Sequence, residues 1–116
     1  MNSCLISLDE GGLSDLLNYK GTDETAVLMI TTPTCSKCRD IKRRINEFGF
    51  PQSFPVSSIF VYEFDGANPN ALDLIISLGV RMAPTFVGIN RDKRERKVIE
   101  GIETYDDLTT TKPLIP

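Results

Sequence analysis

Apolar and polar positions fall along the chain in blocks whose period changes from strand-like to helix-like and back. Leu5 to Leu8 is a short apolar run that predicts a first strand. Gly11-Gly12 then breaks the chain, and Leu13, Leu16 and Leu17 recur at helical spacing, with Gly12 or Ser14 near the helix start. Beyond Gly21 and the polar Thr22-Asp23-Glu24, Ala26-Val27-Leu28-Met29-Ile30 is continuously apolar, the pattern of a central strand covered on both faces. Thr31 to Thr34 makes a turn. From Cys35 onward, Cys38, Ile41, Ile45 and Phe48 repeat at steps of three and four opposite Lys37, Lys42, Arg43 and Arg44, which predicts an amphipathic helix ending near Gly49.

Pro51 and Pro55 punctuate a loop before Ile59-Phe60-Val61-Tyr62-Glu63-Phe64, a third strand by its β-branched and aromatic content. Asp65-Gly66 turns the chain. Asn68 is placed to cap and Pro69 to open a helix that runs through Ala71-Leu72 to Leu78 and is closed by Gly79. Thr85 to Ile89 predicts a fourth strand, Asn90 to Lys97 a solvated charged turn, Val98-Ile99 a fifth strand, and Tyr105 to Thr109 a last helix. The order is βαβαβαββα. Helical crossovers in the first half imply parallel pairing and the short final link implies antiparallel pairing, so the expected class is α/β, a mixed central sheet flanked by helices in one domain spanning 1–116.

Composition adds bounds to this picture. With 116 residues, 41% hydrophobic and 25% charged, the chain is long enough to bury a core without cross-links. A net charge of -3 argues against nucleic acid as a partner, because duplex binding draws on many Lys and Arg contacts to phosphate. The average conceals a basic stretch of Lys37, Arg39, Lys42, Arg43 and Arg44 against Asp40. The apolar run at the N-terminus has no basic leader and ends at Asp9, so the expected location is the reducing cytoplasm, with no membrane partner and a monomer as the default state. Three cysteines are an odd count for a secreted scaffold, and Cys4 reads as a small buried hydrophobe in the first strand.

The other two cysteines carry the chemistry. Cys35-Ser36-Lys37-Cys38 falls where the buried strand runs into the amphipathic helix, at the carboxyl edge of the sheet, where sites in such folds are usually found. The same spacing serves a redox pair, half of a zinc knuckle, or two ordinary core cysteines. Structural zinc takes four ligands, whereas this chain has no histidine and no second pair, so no metal is expected. In the redox reading, unpaired backbone N–H groups and the helix dipole favour a Cys35 thiolate, Lys37 and Arg39 add positive charge, and Cys35 is the nucleophile. Cys38, one turn later on the buried stripe, is the resolving thiol, close enough to bond without a backbone movement.

The motif after the buried strand, together with Gly79-Val80-Arg81-Met82-Ala83-Pro84-Thr85-Phe86 before the next strand, resembles the thioredoxin superfamily over nearly the whole chain. The resemblance implies the thioredoxin fold, a redox-active Cys35–Cys38 disulfide, and dithiol exchange that reduces protein disulfides without a cofactor. It also implies a cis Pro84 packed beside the disulfide and an Ala83 backbone that pairs with a substrate peptide. Thr34, Ser36, Lys37, Arg81, Met82 and Gly101 complete the implied substrate-binding surface.

Departures from the family pattern matter as much. Thr34 replaces a tryptophan, Ser36-Lys37 replaces Gly-Pro, and Met29, six residues before the nucleophile, replaces a buried aspartate that assists proton transfer. Thr32-Pro33-Thr34 is similar to glutaredoxins, yet Ala83-Pro84-Thr85 stands in place of their glutathione-binding Thr-Val-Pro. That favours a protein reductase over glutathione as electron donor. Arg81, in the segment that would face Cys35, joins Lys37 and Arg39 as a candidate selector of acidic partners. The competing functional reading is a thioredoxin-fold binding or adaptor module without redox turnover.

Overall fold

Alternate side chains of the run Ala26–Ile30 are buried on opposite faces of one sheet, which is why the run shows no polar position. Ala26, Leu28 and Ile30 join one core cluster, and Val27 and Met29 join the other. The computed structural model describes residues 5–21, 25–49 and 60–110. Its strands are β1 (Leu5–Ser7), β2 (Thr25–Thr31), β3 (Phe60–Asp65), β4 (Thr85–Asn90) and β5 (Glu95–Ile99); its helices are α1 (Glu10–Leu17), α2 (Ser36–Phe48), α3 (Leu72–Ser77) and α4 (Tyr105–Thr110). The expected order βαβαβαββα is therefore the observed one, with a single 3-10 turn, Pro69–Ala71, leading into α3.

The five-stranded sheet has the order β1-β3-β2-β4-β5. β3 lies between β1 and β2 and is parallel to both, whereas β4 is antiparallel to β2 and to β5. On one face, Leu13, Leu16 and Leu17 of α1 and Ile75 of α3 pack with Leu28, Ile30, Phe64, Val87 and Ile89. On the other, Cys38, Ile41 and Ile45 of α2 and Leu108 of α4 pack with Val27, Met29 and Phe86. Both faces are thus closed by helices, and β2 is held at the centre of the sheet.

Several local expectations are corrected. Gly11-Gly12 does not break the chain: both lie in the first turn of α1, because Asp9 caps the helix by accepting the Gly12 N–H at 2.7 Å. Phe48 is not on the buried stripe of α2. It is 65% exposed at the helix end, where its ring meets that of Tyr105 with centroids 6.1 Å apart. The charged segment 90–97 is not all turn. Asn90 ends β4, Arg91–Arg94 makes the turn with Arg94 at a φ of 53°, and exposed Glu95, Arg96 and Lys97 already belong to β5 at the rim of the sheet. Cys4, Thr22-Asp23-Glu24, Pro51, Pro55 and Ile59 lie outside the described residues. No helix among the described residues is long and apolar enough to cross a membrane.

Candidate active site

Three turns meet at the carboxyl end of β2. The first runs from Thr32 to Cys35, closed by the Cys35 N–H donating to the Thr32 carbonyl at 3.2 Å. Arg39, one turn into α2, reaches back to donate from its guanidinium to the Pro33 carbonyl at 3.2 Å, fixing the loop before the cysteines. Cys35 itself is the N-cap of α2, in extended backbone geometry, and its Sγ accepts the Cys38 N–H at 3.0 Å. A sulfur thus fills the place an oxygen takes in most caps and receives one of the helix's otherwise unpaired donors. The two cysteines are joined in a disulfide with Cα atoms 5.2 Å apart.

Burial separates the two sulfur-bearing residues. Cys38 is 1% exposed, whereas Cys35 is half-buried and reaches the surface. The Cys38 N–H and the N-terminus of α2 both face the Cys35 sulfur. Cys38 is enclosed with Met29, Val27, Ile41 and Phe86. The side chain beneath it is the Met29 thioether, fully buried, which takes no proton at any relevant pH.

The second turn is Arg81 to Pro84. The Ala83–Pro84 peptide bond is cis, as the resemblance implied, and Pro84 is buried. Thr85, also buried, donates its hydroxyl to the Met82 carbonyl at 2.6 Å and so pins this turn to the start of β4. Ala83 and Cys35 pack against the same cluster that holds Cys38. Arg81 and Met82 project outward, and Arg81 makes no ion pair with another described residue. Beside this turn, Thr32, Leu72, Ile75, Ile76, Val80, Met82 and Ala83 line an open apolar groove.

The third turn links β5 to α4. Gly101 takes a φ of 87°, in the left-handed region, and the next residue, Ile102, drops into the cluster beside Cys38. Thr104 and Asp107 form a reciprocal cap. The Asp107 carboxylate accepts the N–H groups of Glu103 at 2.9 Å and Thr104 at 3.1 Å, and the Thr104 hydroxyl accepts the Asp107 N–H at 3.2 Å. Those two backbone donors hold the Asp107 carboxyl below the usual carboxylate range. The turn presents Glu103 to Lys37, with Oε1 and Nζ 2.5 Å apart.

Of the residues expected at a site, the structure thus gathers Cys35, Cys38 and Ala83 on one cluster, with Pro84 at the adjoining cis turn. Ser36 and Thr34 are exposed at the head of α2. Lys37 is turned toward Glu103 rather than standing as a free charge beside Cys35. Glu103 escaped the sequence reading: the Thr104-to-Asp107 spacing marks a helix start, but no local pattern ties it to a lysine 66 positions earlier. Among the described residues no group of three or more acidic or cysteine side chains is arranged to hold a metal.

This fold has solved counterparts. The chain matches no protein-family model and no curated protein in sequence. It is similar in structure to thioredoxin O2 of Arabidopsis thaliana in its oxidised state, with 22% identity, a TM-score of 0.69, and coverage of 95% of this chain and 92% of that one. A thioredoxin h of Nicotiana alata superimposes with a TM-score of 0.71 at 17% identity over 95% of this chain and 90% of that one. A mutant thioredoxin of Halobacterium salinarum covers 100% of this chain and 98% of that one, with a TM-score of 0.65 and 16% identity. The chain has the thioredoxin fold, and within it carries a vicinal cysteine pair closed as a disulfide at the head of α2.

Proposed function

We propose that the protein is a thiol–disulfide oxidoreductase that reduces protein disulfides through Cys35 and Cys38. The observation that carries the reading is the asymmetry of the pair: Cys35 is reachable and its sulfur accepts a backbone N–H, while Cys38 is buried one turn below. In the reduced enzyme, the Cys35 thiolate attacks one sulfur of a substrate disulfide. That S–S bond breaks, the departing thiolate takes a proton from solvent, and a mixed disulfide joins Cys35 to the substrate. Cys38 then loses its proton and attacks the Cys35 Sγ, which releases the second substrate thiolate and forms the Cys35–Cys38 disulfide. Two electrons pass from the cysteine pair to the substrate.

A dithiol donor must return those electrons, and a protein reductase suits the Ala83-Pro84-Thr85 turn better than glutathione does. The turn's Ala83 backbone is the place for an extended substrate segment to pair. In this reading exposed Thr34, Ser36, Met82 and Gly101 complete the substrate-binding surface, and Arg81 offers a guanidinium to an acidic partner. Reduction of insulin disulfides by the dithiothreitol-reduced protein tests the reading. Cys35→Ser is expected to lose the activity to background. A Cys35→Ser protein as fast as wild type would sink the proposal and leave a binding or adaptor module.

A further inference from the structure

We infer that Glu103 is a positioning residue for the redox pair, one that offsets the charge of Lys37 and thereby sets how readily Cys35 ionises. This rests on the oxidoreductase reading of the site. Lys37 lies two positions beyond Cys35 in the first turn of α2, so its ammonium would stabilise a Cys35 thiolate. In the structure that ammonium is engaged by the Glu103 carboxylate, at 2.5 Å. The carboxylate is not a freely swinging surface group at its base. Its backbone N–H is bound by Asp107, Thr104 completes the reciprocal cap, and Ile102 next to it is buried beside Cys38. The turn therefore holds Glu103 over the head of α2.

Other charged or titratable groups on the surrounding elements are committed elsewhere or remain constant in the comparison. On α2, Arg39 binds the Pro33 carbonyl, Asp40 pairs with Arg43 and Arg44, and Lys42 pairs with Glu63 of β3. Cys38 is buried, and Arg81 is on the cis-proline turn. On the third turn and α4 stand Glu100, Tyr105, Asp106 and Asp107; Asp107 caps the turn, and the Tyr105 hydroxyl donates to the Gly49 carbonyl at 2.7 Å. Lys37 and Glu103 thus form a pair of opposite charges at the head of α2, the helix that Cys35 caps, each modifying what the other contributes.

Both side chains are more than half exposed, so the expected effect is modest. A unit charge within about 10 Å at a water-exposed site moves a neighbour's ionisation by a few tenths of a pH unit. The test is the pH dependence of iodoacetamide alkylation of Cys35 in the fully reduced protein, read site by site by mass spectrometry so that Cys4 and Cys38 are counted apart. Glu103→Gln is expected to lower the Cys35 midpoint by about 0.3–0.5 of a pH unit, the effect shrinking in 1 M salt. Lys37→Met is expected to raise it by a similar amount, and adding Glu103→Gln in the Lys37→Met background to leave it nearly unmoved, because Glu103 acts through Lys37. An unmoved midpoint in Glu103→Gln would overturn the inference, and so would an equal shift in the Lys37→Met background, which would mean that Glu103 does not act through Lys37. Alkylation needs no disulfide substrate. A shifted midpoint in a protein that fails to reduce insulin would refute the oxidoreductase reading alone; an unshifted one in an active protein would refute the role of Glu103 alone.

Discussion

Met29 and Glu63 are register partners on the parallel strands β2 and β3, side chains on the same face of the sheet, yet they serve opposite environments. Met29 is sealed among Val27, Cys38, Ile41 and Phe86, whereas Glu63 lies toward the edge and is taken by Lys42 at 2.9 Å and by the Ser7 hydroxyl at 3.1 Å. The carboxylate is on the strand that can solvate and pair it. The position beside Cys38 is left apolar.

Met29→Asp reverses that division. A carboxyl at this fully buried place has its ionised form disfavoured, so its folded pKa rises above the unfolded value of about 3.9. The ionisation-linked part of the destabilisation is absent at low pH, grows as pH rises above the unfolded value, and reaches roughly 3–5 kcal/mol once the folded group is forced to ionise or open the core, on top of a pH-independent loss of packing. Urea unfolding at pH 5 and pH 8 checks this, the variant being weaker at pH 8. If Cys38 deprotonation limits turnover, the same variant acquires a new ionisation in the pH profile of insulin reduction; an unchanged profile excludes a proton-transfer role for this position.

Cys38→Ser keeps Cys35, the nucleophile of the proposed reaction, and removes the thiol proposed to resolve it. The variant is expected to accumulate a mixed disulfide with its substrate, at least tenfold above wild type, because only an external thiol can now release it. Non-reducing electrophoresis and mass of the adduct check the accumulation and identify the substrate. Absence of any Cys35 adduct would count against attack by this residue.

Arg81 is exposed and has no ion pair with another described residue, so its field is free to act on an approaching partner. Arg81→Glu is expected to slow reduction of an acidic disulfide peptide about two- to fivefold at low salt, with the difference fading toward 0.5 M salt as screening shortens the reach of the charge. Rates for a neutral peptide of the same length should change little. Equal losses for both peptides at every salt concentration would mean that Arg81 acts through packing.

Asp107 offers a pH-dependent handle on the third turn. The N–H groups of Glu103 and Thr104 hold its carboxyl below the usual range, so the folded state favours the ionised form. Its contribution is complete above the unfolded carboxylate value of about 3.9 and disappears as pH falls through the lower folded one. Asp107→Ala is expected to lower the melting temperature at pH 7 by about 3–6 °C, with the gap closing in strong acid. Thermal scans by circular dichroism across that range decide it.

Gly66 sits where β3 turns beside the end of β2, and its N–H donates to the Thr31 carbonyl at 2.7 Å. A Cβ there would lie 2.7 Å from Cγ2 of Ile30, a side chain only 1% exposed. Gly66→Ala is expected to cost about 1–3 kcal/mol in urea unfolding by overpacking. A neutral result would show that β2 can shift at its carboxyl end.

What the sequence disclosed about this fold follows how local each cause is. The unbroken apolar run Ala26–Ile30 announces a two-sided strand, and Asn68-Pro69 announces a helical start, because burial and capping leave their marks within a few residues. The cysteine pair and the cis turn before Thr85 were legible through their resemblance to a family. Sequence alone shortens β5 because Glu95, Arg96 and Lys97 have the composition of a turn; only pairing with Asn90, Ile89 and Gly88 makes them a strand. Phe48 fits the helical period but lies beyond the sheet that would cover it. The grip of Glu103 on Lys37 joins distant parts of the chain, and no periodicity reports it.

The rims of the sheet bear on what happens when an unfolded chain drifts past. β1 has three residues, and the other rim carries Glu95, Arg96 and Lys97 on β5. A foreign strand laid along β5 would have to bring its own backbone against that row of ions. The β5 border therefore resists being lengthened by a foreign strand.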